Sequence, residues 1–226
     1  MKSAVVKSRL AQGDRSRRAI LEEAVHLASA EGLEGLTIGR LASETGMSKS
    51  GLFAHFGSKE DLQLATIEAA RNIFIEAVIR PAFEANKGVA RLRRLCEIWF
   101  EYANSQVFRG GCFFAAASAE FDSRQGRVRD RIAEIMKEWL ATLSQAIVDA
   151  QEAGQFDSKV DPMQFAFEIN ALEMGANWAF QLFGDKQAFV RAREAIFERL
   201  RRNLMSRGSL RAAPAKKKRG AASARR

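Results

Sequence analysis

Apolar residues recur every three or four positions along most of this chain. Between residues 37 and 62 the first such group is Ile38, Leu41 and Ala42, which would share one face of a short helix. Thr37 precedes the group with a side-chain oxygen that can cap a helix, and Gly46 follows it where a left-handed residue often ends one. The pattern therefore predicts a short helix between Thr37 and Gly46.

A second short helix is predicted directly after the glycine turn. Ser48 can cap this helix, and Leu52 and Phe56, four residues apart, would return it to the same core. Two short helices joined by a tight turn with glycine are typical of a helix-turn-helix, whose second helix enters the DNA major groove. The segment is therefore predicted to read DNA.

Helices are predicted on both sides of this motif. The first runs from about Arg15 to Glu31, where Gly32 can end it. The helix after the motif is capped by Ser58 and continues to about Arg80, where Pro81 should stop it. At 1.5 Å per residue it would be about 34 Å long, enough to join the DNA-reading end to a second domain as a rigid rod.

The remainder of the chain also has a helical pattern. Four further helices are predicted, at about residues 89–103, 112–119, 126–153 and 161–183, followed by a last one at 186–205. From Phe165 to Phe183 the pattern is apolar on nearly every side, so both faces of this helix should be buried. In a domain of this size we expect a partner subunit to cover one face. The fold class is therefore all-α.

Composition limits the class of protein. The chain has 226 residues, 47% of them hydrophobic, which supports a folded core. Of the net charge of +9, eight positive charges lie in Arg207–Arg226, a low-complexity segment that cannot offset its ordering entropy. No signal peptide or membrane-spanning run is recognisable, and two distant cysteines give no disulfide framework. We therefore expect a cytoplasmic protein without a membrane partner.

Enzymatic chemistry has little support in the sequence. Of the two histidines, His55 lies in the DNA-reading segment, so a catalytic triad would depend on His26. Neither a phosphate-binding glycine loop nor a metal-ligand cluster is recognisable. Cys112 could be an oxidation sensor, although small buried cysteines are commoner. We predict no catalytic residues, no metal and no cofactor.

The helix-turn-helix segment resembles the DNA-binding domain of the tetracycline-repressor (TetR) family of bacterial transcription regulators. The resemblance covers roughly residues 15–70, and the matching positions are Gly32, Thr37, Ile38, Leu41, Ala42, Gly46, Ser48, Leu52, Phe53, His55, Phe56, Lys59, Glu60 and Leu62. The resemblance implies an N-terminal three-helix domain joined by a long helix to a C-terminal helical bundle that dimerises. It also implies a palindromic DNA operator and a small-molecule effector as partners.

Eight residues are candidates for DNA contact: Thr37, Ser48, Lys49, Ser50, Gly51, Phe53, His55 and Lys59. Lys49 can donate to guanine or to a phosphate, while small Ser50 and Gly51 allow close approach. His55 and Lys59 would bind backbone phosphates. The position of Phe53 is usually tyrosine in the family, so here the ring can only pack against sugar or a thymine methyl group.

A ligand cavity in the C-terminal domain is implied by the resemblance, which does not indicate its lining. The candidates are the inward aromatic and polar residues Trp99, Tyr102, Phe113, Trp139, Glu173 and Trp178. An apolar cavity with a few polar anchors is typical of a small-molecule site. The same residues would also suit a filled core and a dimer seam, and both interpretations remain open here.

The predicted organisation has four parts. Residues 1–13 form a flexible basic arm, 14–60 the helix-turn-helix domain, 61–206 the ligand-binding and dimerisation domain, and 207–226 a disordered basic tail. The function expected is a transcriptional repressor that a small apolar or amphipathic ligand releases from its operator. The alternative is an architectural, DNA-coating protein that uses the basic tail.

Overall fold

The computed structural model describes residues 2–105 and 107–205. Over these residues the chain is all-α, as predicted, and the elements follow in this order: α1 (Lys2–Glu31), α2 (Ile38–Thr45), α3 (Lys49–Phe56), α4 (Lys59–Phe74), a π-helical turn (Ile75–Ile79), α5 (Arg80–Phe83), α6 (Val89–Asn104), α7 (Phe113–Phe121), α8 (Arg127–Glu152), α9 (Pro162–Phe183) and α10 (Gln187–Arg202). The predicted disordered tail, 207–226, lies outside the described residues.

The helix-turn-helix forms as its caps predict. The Oγ1 atom of Thr37 accepts a hydrogen bond from the Arg40 backbone N–H at 3.1 Å, and Ser48 Oγ accepts from Gly51 at the same distance. Gly46 ends α2 in the left-handed conformation, with φ of 66°. Leu41 and Leu52 are fully buried between α1 and α4. These local interactions fix the angle at which α3 leaves the core.

Helix α1 is longer than predicted. It begins at Lys2 rather than near Arg15, so residues 2–13, which we expected to form a flexible arm, are helical in the structure. This stretch contains no proline and a single glycine, Gly13, so nothing in it interrupts a helix. Its basic residues indicated an exposed segment, and exposure is compatible with a helix as well as with an arm.

The linking rod does not stop at Pro81. Helix α4 passes into the π-helical turn, where the backbone N–H of Arg80 donates to the carbonyl of Ile75, five residues earlier. Pro81 then lies in the first turn of α5, where its missing N–H is tolerated, and the helical path ends at Phe83. The widened turn thus carries the chain past a residue that ordinarily breaks a helix.

The C-terminal bundle is built around α8 and α9. Helix α8 packs against α4, α6, α7 and α9, and α10 packs along α9. Asp161 caps α9 through its side chain, as predicted, by accepting from the Met163 and Gln164 N–H groups. The bundle core is continuous with that of the N-terminal domain. No helix in the described ranges is both long and apolar enough to cross a membrane.

One face of α9 and α10 is apolar and exposed. The large hydrophobic residues on it are Met163, Phe167, Leu172, Trp178, Leu182, Phe183 and Val190. The sequence predicted that α9 would be buried on all sides, and a single copy of the chain covers only the face with Phe165, Ile169 and Glu173. The uncovered face is the one for which a partner subunit was expected.

Candidate nucleic-acid interface and ligand cavity

The outer surface of α3 is small and polar at its N-terminal end. Ser48, Lys49 and Ser50 are exposed there, while Leu52 and Phe56 anchor the opposite face in the core. Gly39 of α2 lies next to Lys49, and a side chain at Gly39 would contact the lysine stem. The ammonium group of Lys49 is therefore presented beside the end of α3 that would meet base edges.

Six of the eight candidate residues divide into two groups. Thr37 and Ser48 act as helix caps, and Gly51 supplies the N–H whose hydrogen bond Ser48 accepts. These three residues therefore hold the starts of α2 and α3 in place. Phe53 is 57% exposed, and its ring has no place in the core. The structure thus places Lys49, Ser50 and Phe53 together on one exposed patch.

Lys59 has a different environment from the one predicted. Its ammonium group donates to Glu34 at 2.7 Å, and Arg124, just after α7, binds the same carboxylate at 3.1 Å. The hydrogen bond from Lys59 lowers the pKa of the Glu34 carboxyl. His55 is half-buried beside Phe56, with ring centroids 6.1 Å apart. A phosphate contact from Lys59 would therefore have to compete with Glu34.

Two residues near this surface escaped the sequence analysis. The guanidinium of Arg17, on α1, lies 4.9 Å from the centre of the Phe56 ring and brings a positive charge to the base of α3. Arg40 donates to both Glu31 and Glu44 and so is held on α2. The contact of Arg17 with Phe56 has no local signal because the two residues are far apart in sequence, whereas Arg40 and Glu44 have the i, i+4 spacing of a helical ion pair.

A carboxylate of the C-terminal domain holds the turn between α1 and α2. Glu120 of α7 accepts the backbone N–H groups of Leu33 and Glu34 at 2.8 and 2.9 Å. Gln63 of α4 donates to the Leu33 carbonyl at 2.8 Å. The turn is therefore attached to the bundle and to the linking rod at once. The sequence had no signal for this contact.

Ion pairs join α4 to α8 along the rod. Arg71 donates to Glu138 at 2.8 Å, and Arg131 pairs with Glu68. Closer to the motif, Arg127 pairs with Glu60 at 3.0 Å. Individual surface pairs stabilise weakly, but this series fixes the rotational position of α4 against α8.

A mostly apolar cavity of about 200 Å³ lies where α4, the π-helical turn, α6, α7, α8 and α9 meet. Its aromatic lining residues are Phe74, Trp99, Phe114 and Trp139. The principal polar groups at its wall are Arg71, Cys112, Glu138, Thr142 and Asn170. A pocket for a drug-sized ligand is usually about 300–1,000 Å³, so this one suits a smaller molecule.

The six ligand candidates are not all in this cavity. Trp99 and Trp139 line it. Tyr102 and Phe113 are buried core residues outside the lining. Trp178 is 58% exposed on the outer face of α9, so the prediction that it points inward is wrong. Its helical position is one residue beyond buried Asn177, and one step of about 100° turns it outward.

Glu173 is fully buried just behind the cavity wall. Its Oε2 accepts a hydrogen bond from the indole N–H of Trp139 at 3.3 Å, and within the described residues no donor reaches Oε1. Burial raises the pKa of the Glu173 carboxyl well above its ordinary value and so favours the neutral acid. Burial also raises the pKa of the Cys112 thiol to about 11, which disfavours a reactive thiolate there.

Glu173→Gln should stabilise the ligand-free protein at pH 7. The folded state keeps a proton that the unfolded carboxyl releases above its ordinary pKa of 4.5, so wild-type stability falls as the pH rises from 4.5 towards the raised value. The fall is up to about 1.4 kcal/mol per pH unit. Urea unfolding at pH 5 and 7 measures it.

Exposed Glu152→Gln, at the end of α8, is the control for loss of one acid. Its stability should follow the wild-type pH curve. The difference between Glu173→Gln and wild type should grow between pH 5 and 7, and parallel curves for the two would contradict the buried neutral carboxyl.

Comparison with known proteins shows the family to which the chain belongs. Residues 20–66 match the family model for bacterial regulatory proteins of the tetR family, and residues 88–196 match the tetracyclin repressor-like C-terminal domain. The two matches cover the helix-turn-helix and the bundle. The chain belongs to the TetR family of transcription regulators. Members of this family are generally non-enzymatic, DNA-binding proteins that dimerise and bind small-molecule effectors.

Individual relatives agree with this assignment. The HTH-type transcriptional repressor AcnR of Corynebacterium glutamicum is 46% identical over 59 residues, which is 25% of this chain and 31% of the repressor. The match thus spans about a third of that relative's length.

Two solved structures share the fold over most of the chain. A TetR transcriptional regulator from Chloroflexus aurantiacus has a TM-score of 0.76 at 23% identity, and the alignment covers 85% of this chain and 98% of the other. AibR in complex with isovaleryl coenzyme A and operator DNA has a TM-score of 0.65 at 24% identity, covering 81% and 97%.

Proposed function

We propose that this protein is a dimeric transcriptional repressor that leaves a palindromic operator when a small ligand enters the cavity. One observation carries the proposal: the rod that begins at Lys59, directly after α3, also forms a wall of the cavity through Phe74, Ile75 and Ile79. A displacement of that wall can therefore move the recognition helix. The match of 59 residues to a transcriptional repressor supports the sign of regulation.

Lys49 is the residue we propose for base reading. It is exposed at the start of α3, where guanine O6 and N7 or a phosphate would meet it. Ser50 and Gly51 permit close approach, and Phe53 packs on sugar or a thymine methyl group. His55 and Lys59 bind phosphates at the edge of the surface, with Lys59 exchanging Glu34 for the DNA.

A second copy of the chain is proposed to cover the apolar face of α9 and α10. Phe167, Trp178 and Phe183 are each more than half exposed on this face, which is unusual for an isolated subunit. A symmetric pair would present two α3 helices, which must match successive major grooves about 34–36 Å apart. The ligand acts by binding more tightly to a dimer whose two α3 helices are not separated by this distance.

The architectural alternative has no support in the relatives described above, which are transcription regulators. The feature that motivated it, the basic tail, lies outside the described residues.

The double replacement Lys49→Ala with His55→Ala should remove operator affinity without changing folding or dimerisation. A good base contact is worth about 1–3 kcal/mol, so the loss of two contacts should weaken binding by tenfold or more. Operator fragments selected from random DNA and titrated at fixed salt concentration provide the measurement.

Lys87→Ala is the matched control, since this exposed lysine lies in the loop before α6, outside the helix-turn-helix. Its operator affinity should equal that of the wild type. Unchanged binding by the double variant would place the DNA-contacting surface elsewhere on the molecule.

A further inference from the structure

The buried carboxyl of Glu173 is an unusual neighbour for an apolar cavity. It is 0% exposed, and it reaches the lining through the indole N–H of Trp139. Asn170 and Met174, its neighbours on α9, both line the cavity, as does Cys112. An acid in such a place is expensive to bury, and its second oxygen has no donor among the described residues.

The other charges at the cavity cancel each other. Arg71 donates to Glu138 from two of its nitrogens, at 2.8 and 3.0 Å, so this pair is neutral as a unit. The thiols of Cys96 and Cys112 and the phenol of Tyr102 have a raised pKa because they are buried, and all three are uncharged at pH 7. Within the described part of the chain, the remaining group beside this cavity that can take up a charge is the Glu173 carboxyl.

The aromatic lining favours the same sign of ligand charge. Phe74, Trp99, Phe114 and Trp139 each contribute to the wall, and ring faces attract cations through their quadrupole. Trp139 also donates its N–H to Glu173. When that carboxyl is ionised it polarises the indole and makes its face more negative, which strengthens the attraction.

We propose that the ligand of this cavity is a small organic cation, an ammonium or quaternary ammonium group with apolar substituents, held against the aromatic rings with Glu173 as its counter-charge. The inference deepens the proposed function, on which it rests for taking the cavity as the effector site. An anionic ligand is disfavoured because Arg71, the cation in the described lining of the cavity, is already paired with Glu138. A neutral ligand would leave the carboxyl protonated, and its affinity would not depend on pH.

Cation binding should release a proton. Burial raises the pKa of Glu173 and favours its neutral form, whereas a bound cation favours the ionised form. Affinity should therefore increase with pH until the carboxyl of the empty protein is itself ionised. The groups that face it from α6, from the residue before α7 and from α8 (Cys96, Cys112 and Trp139) carry no charge in this range, so the proton comes from Glu173.

The test compares ligands of matched shape and different charge. Calorimetric titration of the full-length protein, without DNA, uses 2-phenylethylammonium and benzyltrimethylammonium as cations and 2-phenylethanol as the neutral counterpart. We expect each cation to bind at least about tenfold more tightly than the alcohol. Repeating the titration in buffers with different heats of ionisation should show about one proton released per cation bound.

Two variants separate the role of the carboxyl from general effects. Glu173→Gln should remove the preference for the cations, the proton release and the pH dependence, while 2-phenylethanol binding is retained. Exposed Glu152→Gln should behave as wild type. Equal affinities for cation and alcohol, no cation binding, or a preference that survives Glu173→Gln would each overturn the inference. Operator binding is measured separately without ligand, so failure of the proposed repressor function is distinguishable.

Discussion

Replacing Phe74 with Ala should lower the free energy of unfolding by about 3–5 kcal/mol, since truncation of a buried phenylalanine removes its packing and leaves a cavity. The Phe74 ring makes edge-to-face contacts with Tyr102, Phe114 and Trp139 at centroid distances of 5.4, 6.3 and 5.3 Å. It therefore joins the linking rod to three helices of the bundle. Urea unfolding followed by circular dichroism measures the loss.

Phe83→Ala is the matched control for this experiment. Phe83 ends the same rod, is 49% exposed and contacts the Arg91 guanidinium at 4.5 Å. Its removal should cost well under half as much, because little surface returns to water. Similar losses for both variants would show that Phe74 is not central to the packing.

Gly110→Ala should separate the DNA-binding domain from the bundle and destabilise the protein by about 3 kcal/mol. A Cβ atom at Gly110 would overlap the backbone carbonyl of Ser29 in α1, and a backbone group cannot move aside as a flexible side chain can. The same contact includes a hydrogen bond of 3.4 Å from the Gly110 N–H to Ser29 Oγ. A lower midpoint in thermal unfolding is the expected result.

Gly13→Ala provides the comparison on α1 itself. Nothing lies within 4 Å of a Cβ placed there, and alanine is favoured over glycine inside a helix. This variant should be neutral or slightly more stable than wild type. If Gly110→Ala also left stability unchanged, the close approach of α1 to the segment before α7 would not be tight in solution.

Features set by neighbouring residues were predictable from the sequence. The caps Thr37 and Ser48 and the turn at Gly46 depend on contacts within three residues, and the structure has all of them. The start of α1 and the passage of the helix through Pro81 were not predicted. Both segments tolerate a helix, and the local sequence pattern does not determine whether the helix continues through them.

The site was predictable only in part, for a related reason. Lys49 could be placed because its exposure follows from the position of Leu52 and Phe56 in the motif. The contacts of Glu120 with the turn after α1 join residues more than 80 positions apart. The distinction between Trp139, inside the cavity, and Trp178, outside it, depends on how the bundle closes around α9. The composition and periodicity of the sequence do not predict such long-range contacts.

The π-helical turn affects how the linking rod is aligned with the rods of related proteins. A π turn contains one residue more than the α-helical turn it replaces, as if a single residue had been inserted into a regular helix. The wider turn absorbs that residue, so the helix after it keeps its face while its sequence positions move on by one. When this chain is aligned with a relative whose rod is regular, the equivalent positions should therefore shift by one residue beyond Ile79. Residues of the cavity wall and residues of α5 must therefore be aligned with such a relative at offsets that differ by one residue.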